Sequence, residues 1–189
     1  MPKYELRLSG SGGQGLILAG IMLGEAASIY DNKEATQSQS YGPEARGGAS
    51  RSEVIISDKP IDFPKVRQAD FMLSMTQESY DKYISGLREE GVLLTDSFFV
   101  TKVKPRTGPV YSMDLTKIAA EKAGKKIVAN VVSLGAIVAL TNVVSLEAMK
   151  KAVLDRAPSG TEEMNLKALE EGYNAALELK GKILQEMKK

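Results

Sequence analysis

A run of glycines near the start of the chain restricts its possible folds more than any other feature of the sequence. Gly10, Gly12 and Gly15 fall in the pattern G-x-G-x-x-G. The alternating segment Tyr4 to Leu8 before them is typical of a strand, and Leu16 to Tyr30 after them has the apolar spacing of a helix. A strand, tight turn and helix of this kind begin a Rossmann-like fold, in which free backbone N–H groups and the helix dipole favour an anion.

This first glycine loop favours phosphate binding more than NAD binding. We expect a phosphate-bearing ligand to contact the loop at Gly10, Gly12, Gly13, Gln14 and Gly15. An NAD site needs an acidic residue about twenty positions further on, at the end of the second strand. The predicted second strand has its acid, Glu34, at its start instead. The alternative is that the glycines only serve a tight turn.

Strands and helices alternate along the rest of the chain. Strands are predicted at 34–40, 50–57, 71–75, 92–95, 110–113 and 126–130. Helices are predicted at 77–90, 114–123, 131–144, 145–156 and from 162 to the end. The first of these helices is capped by Thr76 and ended by Gly91. The apolar helix 131–144 and the amphipathic helix from 162 to the end pack either on this domain or on a partner.

This alternation favours an α/β, Rossmann-like fold, with a mostly parallel sheet covered by helices on both faces and an amphipathic helix at the C-terminus. Because no repeat or shift of composition marks a second domain, residues 1–189 are treated as one. The apolar stretch 127–144 contains polar interruptions and falls short of a membrane span.

The composition argues against several classes of protein. The sequence has no Cys and no His, so iron–sulfur clusters held by thiolates, Ser-His triads and typical zinc sites are not expected. A net charge of +1 provides no field that would attract nucleic acid or an anionic membrane. The start Met1 to Glu5 lacks the apolar core of a secretory signal, so we expect a cytoplasmic location.

A second glycine-rich segment, Tyr41 to Gly48, follows the predicted second strand. Tyr41 offers a ring for stacking, Glu44 a carboxylate, and Arg46 a planar fork that suits phosphate or carboxylate. We expect these three residues and Gly47 to take part in a ligand site. A surface turn with an internal ion pair between Glu44 and Arg46 is the alternative.

Two polar residues follow predicted strands. Asn130, at the end of the predicted strand 126–130, is a candidate for the ligand crevice, and a plain helix cap is the alternative. Asp96 has a similar position after 92–95, where we expect a turn or cap residue.

The two glycine-rich segments together resemble those of the gamma subunits of 2-oxoacid:ferredoxin oxidoreductases. The resemblance rests on Gly10 to Gly15 and on Gln37 to Val54, and the segment Ser40 to Ser52 favours the 2-oxoglutarate type. It continues, in the same order, through Asp58 to Asp62, Gln77 to Tyr83, Ile127 to Asn130, Leu134 to Ala136 and Gly160 to Asn165.

The resemblance implies one subunit of a larger enzyme. In that family the thiamine diphosphate and the iron–sulfur clusters reside mainly on other subunits, while the gamma domain lies over the active-site region and helps to bind coenzyme A. The implied reaction is oxidative decarboxylation of a 2-oxoacid to an acyl-CoA, with ferredoxin accepting the electrons through the complex. The chain would then be inactive alone, with no catalytic residue and no metal of its own. A free-standing NAD(P)-dependent dehydrogenase and a nucleotide-sensing module are the alternatives.

Overall fold

The computed structural model describes residues 3–40 and 48–186. In this part of the chain the strands are β1 (Tyr4–Ser11), β2 (Glu34–Ser40), β3 (Ala49–Ser57), β4 (Ala69–Ser74), β5 (Leu87–Asp96) and β6 (Val110–Met113). The α-helices are α1 (Leu16–Glu25), α2 (Gln77–Tyr83), α3 (Leu115–Glu121), α4 (Ala129–Thr141), α5 (Leu146–Arg156) and α6 (Glu162–Glu186).

The strands form one sheet in the order β2-β3-β1-β4-β5-β6. Three neighbouring pairs are parallel: β1 with β4, β4 with β5, and β5 with β6. β3 is antiparallel to both β1 and β2. The mostly parallel sheet predicted from the sequence is therefore confirmed. We call the edge where β1, β4, β5 and β6 end the carboxyl edge.

Helices cover both faces of the sheet, but unevenly. Because side chains of a strand point alternately to its two faces, Leu6 and Phe71 face one core and Ile55 and Met72 face the other. The first core is covered by α1 and by α3 to α6, and the second mainly by α2. Helix α4 is buried from Ala129 to Leu140, so its apolar surface is used inside this domain.

The predicted cap of α2 is confirmed, and two further helix ends have the expected capping residues. The Thr76 hydroxyl accepts a hydrogen bond from the Ser79 N–H at 3.2 Å at the start of α2. Ser145 does the same for the Ala148 N–H at 3.1 Å at the start of α5. Gly124, just after α3, has a φ of +89°, which favours glycine. No helix in the described ranges is long and apolar enough to cross a membrane.

The predicted helix 77–90 was wrong beyond its first two turns. Helix α2 ends at Tyr83, and β5 already begins at Leu87. The Arg106 guanidinium donates hydrogen bonds to the carbonyls of Arg88, Glu89 and Gly91 at 2.6, 2.8 and 2.6 Å. A residue distant in sequence therefore holds this charged stretch extended, and Gly91 lies inside a strand.

The predicted strand 126–130 was also wrong. Residues 126–128 form a 3₁₀ turn that leads directly into α4 at Ala129. Ile127 is 75% exposed while Val128 is buried, so their alternation belongs to a turn at the surface. Periodicity cannot separate a short apolar run of a strand from the start of a buried helix.

Candidate functional site

The first glycine loop joins β1 to α1 at the carboxyl edge, and its outer side is open. Gly13 and Gly15 have φ values of +88° and +72°, a backbone region that favours glycine. Gly12 and Gly13 are exposed, and a β-carbon added to either would have no atom within 4 Å. A ligand can therefore approach the backbone closely at these two residues.

The inner side of this loop is filled. A β-carbon on Gly10 would lie 2.7 Å from the Leu16 side chain and 3.0 Å from that of Met75. The Gln14 side chain turns back into the loop, where its Oε1 accepts a hydrogen bond from the Ser11 N–H at 2.8 Å. Gly10 and Gln14 thus hold the shape of the loop, and direct contact of either residue with a ligand stays a prediction.

The start of α1 leaves backbone donors available. No side chain in the described ranges caps this helix, and its first turn has no acidic residue. The first N–H groups of a helix lack partners within the helix, and its N-terminus carries a partial positive charge. An anion placed against Gly12 and Gly13 would meet these groups, and its binding there stays a prediction.

Asn130 does not follow a strand but lies in the first turn of α4, so its predicted position was wrong. The residue is only 6% exposed, and its Nδ2 donates a hydrogen bond to the Gly15 carbonyl at 3.2 Å. A β-carbon on Gly15 would lie 2.6 Å from the same nitrogen. Asn130 therefore fixes the glycine loop to α4, and the structure shows no side-chain capping bond at the start of that helix.

Two cavities flank the first glycine loop, and Gly13 and Gly15 line both. The first, of about 350 Å³, lies between the loop, the start of α4 and the segment 156–165. The second, of about 400 Å³, lies between the loop, the outer side of α1 and Ser50. Each is within the size range of small-molecule sites, which start near 300 Å³.

The proposed site residues of the second glycine-rich segment, Tyr41, Glu44, Arg46 and Gly47, lie outside the described residues. The two strand ends that this segment connects are described. β2 ends at Ser40, and Ala49 at the start of β3 pairs with Ser11 at the end of β1. The start of β3 therefore lies beside the first glycine loop.

Arg51 is a candidate that the sequence reasoning missed. Its Nε is buried and has no hydrogen-bond acceptor in the described part of the chain. Glu53 Oε1 lies 3.6 Å from it, but the Arg7 guanidinium already contacts this oxygen at 2.7 Å. Two guanidinium groups thus share one carboxylate, and the Arg51 guanidinium also lies 5.3 Å from the centre of the Tyr83 ring, on the face of the sheet that α2 covers. The position of Arg51 just after the segment's glycines was the available signal.

Asp96 has the structural role expected of it. The residue is fully buried at the end of β5, and its carboxylate accepts hydrogen bonds from the Thr116 N–H at 3.0 Å and the Phe98 N–H at 3.2 Å. Burial raises the pKa of Asp96, while the hydrogen bonds from Thr116 and Phe98 oppose that shift. Asp96 fixes the start of α3 and the loop after β5.

A further cavity of about 740 Å³ lies at the opposite edge of the sheet, lined by Lys3 and by 57–63. It is away from the glycine loop and from the carboxyl ends of the parallel strands, where folds of this class bind ligands. We therefore assign it no ligand. The described residues contain no group of three or more potential metal ligands among His, Cys, Asp and Glu.

The chain is similar to known proteins over nearly its whole length. Residues 5–175 match the family model for pyruvate ferredoxin/flavodoxin oxidoreductase. The 2-oxoglutarate synthase subunit KorC of Methanocaldococcus jannaschii is 56% identical, over 94% of this chain and 96% of that protein. The gamma subunit of a keto/oxoacid ferredoxin oxidoreductase from Geobacter sulfurreducens PCA has the same fold, with a TM-score of 0.88 and 54% identity over 95% of this chain and 99% of that one.

One similar protein is much longer. The ketoisovalerate oxidoreductase subunit VorA of Methanothermobacter thermautotrophicus is 31% identical over 94% of this chain, but the match covers only 37% of VorA. In that protein, a region like this chain is joined to additional polypeptide.

Proposed function

This chain belongs to the pyruvate ferredoxin/flavodoxin oxidoreductase family, and from that premise we propose that it is the gamma subunit of a 2-oxoglutarate:ferredoxin oxidoreductase. The observation that carries the proposal is the 56% identity to a 2-oxoglutarate synthase subunit over nearly the whole of both chains. The enzyme decarboxylates its 2-oxoacid oxidatively, transfers the acyl group to coenzyme A and passes the electrons to ferredoxin.

In this proposal the redox groups belong to other subunits. A chain with no Cys and no His has no thiolate or imidazole with which to hold an iron–sulfur cluster. Thiamine diphosphate supplies the carbanion chemistry when bound to the partner subunits. The contribution of this chain, acting as one domain in the cytoplasm, is to bind and position the cosubstrate.

Coenzyme A is the ligand that the glycine loop suits best. Its phosphates match the open backbone of Gly12 and Gly13 and the uncapped start of α1. Its long uncharged arm matches the neighbouring cavity of about 350 Å³, whose wall includes Leu18 and Val131. The Arg51 guanidinium, which shares the Glu53 carboxylate with Arg7, adds a cation near the start of β3, on the face of the sheet that α2 covers.

The second segment completes the proposed cleft. We propose that the cosubstrate or a partner subunit contacts Tyr41, Glu44, Arg46 and Gly47. Support comes from the pairing of Ala49, the first residue of β3 after this segment, with Ser11 at the end of β1.

The partners are the other subunits of the oxidoreductase, with ferredoxin bound through the complex. The longer VorA relative supports this, because there a region like this chain is joined to further polypeptide. The NAD(P)-dependent dehydrogenase has less support. β2 ends in Gln39 and Ser40, and its acid, Glu34, lies at the opposite end of the strand.

Substitution of Gly12 by Asp in the assembled enzyme tests the cosubstrate site. The new side chain has room, but its carboxylate repels a phosphate and takes the space in front of the loop. We expect the KM for coenzyme A to rise at least about tenfold, which corresponds to a loss of about 1.4 kcal/mol of binding energy. Steady-state kinetics with varied coenzyme A measure it.

The matched control is Gly181→Asp in α6, where an added β-carbon also meets nothing within 4 Å. This variant should keep the wild-type KM for coenzyme A. An unchanged KM for coenzyme A in Gly12→Asp would contradict the proposal that the glycine loop binds this cosubstrate.

A further inference from the structure

The loop after β5 carries two exposed aromatic side chains that the cosubstrate site does not use. Phe98 is 67% exposed and Phe99 is 41% exposed. Their rings contact each other edge to face, with centroids 4.9 Å apart. We propose that this pair is the anchor by which the chain docks onto the subunit that covers its carboxyl edge, an inference that rests on the proposed role as a subunit.

The pair stands on the same edge as the glycine loop. Thr95 in β5 pairs with Ser74 in β4, and Ser74 pairs with Ser9 in β1. Two strand spacings of about 4.8 Å each place the end of β5 about 10 Å from the end of β1. A protein that buries Phe98 and Phe99 would therefore also extend towards the glycine loop.

The backbone that carries the rings is held in place from both sides. The Asp96 carboxylate accepts a hydrogen bond from the Phe98 N–H at 3.2 Å, and the Asp96 carbonyl accepts one from the Val100 N–H at 2.9 Å. Gln77 in α2 then accepts from the Thr101 and Lys102 N–H groups at 3.0 and 2.9 Å. Val100, between these contacts, is 3% exposed and packs in the core of the α2 face.

This arrangement orders the backbone before any partner binds. A loop that becomes ordered only on association lowers the binding affinity, because ordering costs free energy. A loop that is already ordered avoids this cost. Aromatic side chains are also enriched among the residues that dominate interface energies, because each buries a large apolar area. The fixed backbone and the exposed rings together fit a docking anchor better than an ordinary surface turn.

The neighbouring charges indicate the chemistry of the partner. Lys102 and Lys104 are exposed just after the rings, and neither has an ion-pair partner within the described ranges. The complementary surface is an apolar pocket whose rim carries carboxylates opposite these lysines and a hydrogen-bond donor opposite Asp114, which the Ser97 hydroxyl contacts beside the rings. We commit to a different subunit of the enzyme as the occupant, since VorA shows a region like this chain joined to a larger remainder.

Replacement of both rings by Ala tests the anchor in the full-length chain. Phe98→Ala/Phe99→Ala should weaken binding to the remaining purified subunits by about a hundredfold or more, as loss of an interface anchor does. Biolayer interferometry with the remaining subunits immobilised measures the dissociation constant. The melting temperature of the free variant should stay near that of the wild type, because the Phe98 ring is mostly in solvent.

Phe63→Ala is the matched control. Phe63 is 44% exposed, lies 4.6 Å from the Arg67 guanidinium and lines the cavity at the opposite edge of the sheet. Its replacement should change the dissociation constant less than about threefold. If the double variant has a lower melting temperature than the wild type, the dissociation constant of the single variant Phe98→Ala tests the anchor instead. The Phe98 ring is the more exposed of the two.

The outcomes separate this inference from the proposed function. Wild-type affinity in a folded double variant would overturn the anchor while the subunit role stands. Failure of the wild-type chain to bind the other subunits would overturn the proposed function itself. A homodimer of the wild-type chain that the double variant loses would replace the partner subunit by a second copy and contradict the inference.

Discussion

The glycines of the first loop have different physical reasons to be glycine. Gly10 is buried, and a side chain there would meet Leu16 and Met75. Gly13 needs its left-handed backbone, and Gly12 needs only the absence of a side chain in front of the loop. Only Gly12 can therefore be replaced without strain, which makes it the informative position for a ligand test.

Asp96 provides a prediction at this scale. Its replacement by Ala removes the acceptor for the Thr116 and Phe98 N–H groups, so we expect a loss of about 1–3 kcal/mol in the free energy of unfolding. Urea denaturation followed by circular dichroism measures it. Ser97→Ala, which leaves both backbone contacts in place, is the control.

The contribution of Asp96 to the free energy of unfolding depends on pH, and the sign of this dependence follows from the raised pKa of Asp96. The folded protein holds this proton more tightly than the unfolded chain, so the contribution of Asp96 to stability falls as pH rises above its ordinary value of 3.8 and through the raised pKa. The stability difference between wild type and Asp96→Ala should therefore be larger at pH 4 than at pH 7. A difference that grows with pH would mean that the hydrogen bonds from Thr116 dominate instead.

At the scale of elements, the crossing of α4 and α6 depends on two glycines. A β-carbon on Gly135 would overlap the Leu169 carbonyl, and one on Gly172 would overlap the Val132 carbonyl. The two helices can approach this closely only because neither has a side chain at the contact.

Replacement of Gly135 or Gly172 by Ala should destabilise the fold by about 1–3 kcal/mol, because backbone must move to admit a methyl group. Gly181→Ala, in the same helix as Gly172 but in open space, should instead gain about 0.5–1 kcal/mol from helix propensity. Thermal unfolding of the three variants compares them directly. Equal effects at Gly172 and Gly181 would contradict the close contact.

Element boundaries show where tertiary contacts overrode local preference. The charged stretch from Leu87 to Glu90 continues the pattern of α2, yet Arg106 holds it as part of β5. Residues 126–128 have the alternation of a strand, yet they form a 3₁₀ turn, and the bond from Asn130 to the Gly15 carbonyl holds the start of α4 beside the glycine loop.

At the scale of the whole molecule, the chain has an open ligand loop and an exposed aromatic pair on one edge, without Cys or His for redox chemistry. We expect the purified chain alone to show no reduction of ferredoxin with 2-oxoglutarate and coenzyme A. Addition of the other subunits should restore it. Activity of the chain alone, or full activity of a complex that lacks it, would contradict the subunit role.

The sequence by itself determined the class of fold and the position of the first loop. Glycine spacing and apolar periodicity are local properties, and they directly limit the backbone conformations that a segment can adopt. It also indicated the family through its two glycine-rich segments. Tertiary structure alone decided that β3 runs antiparallel, that β5 begins at Leu87, and that Arg51 shares Glu53 with Arg7. Each of these features depends on contacts between residues far apart in the chain. The energies of such contacts cannot be inferred from a local sequence pattern.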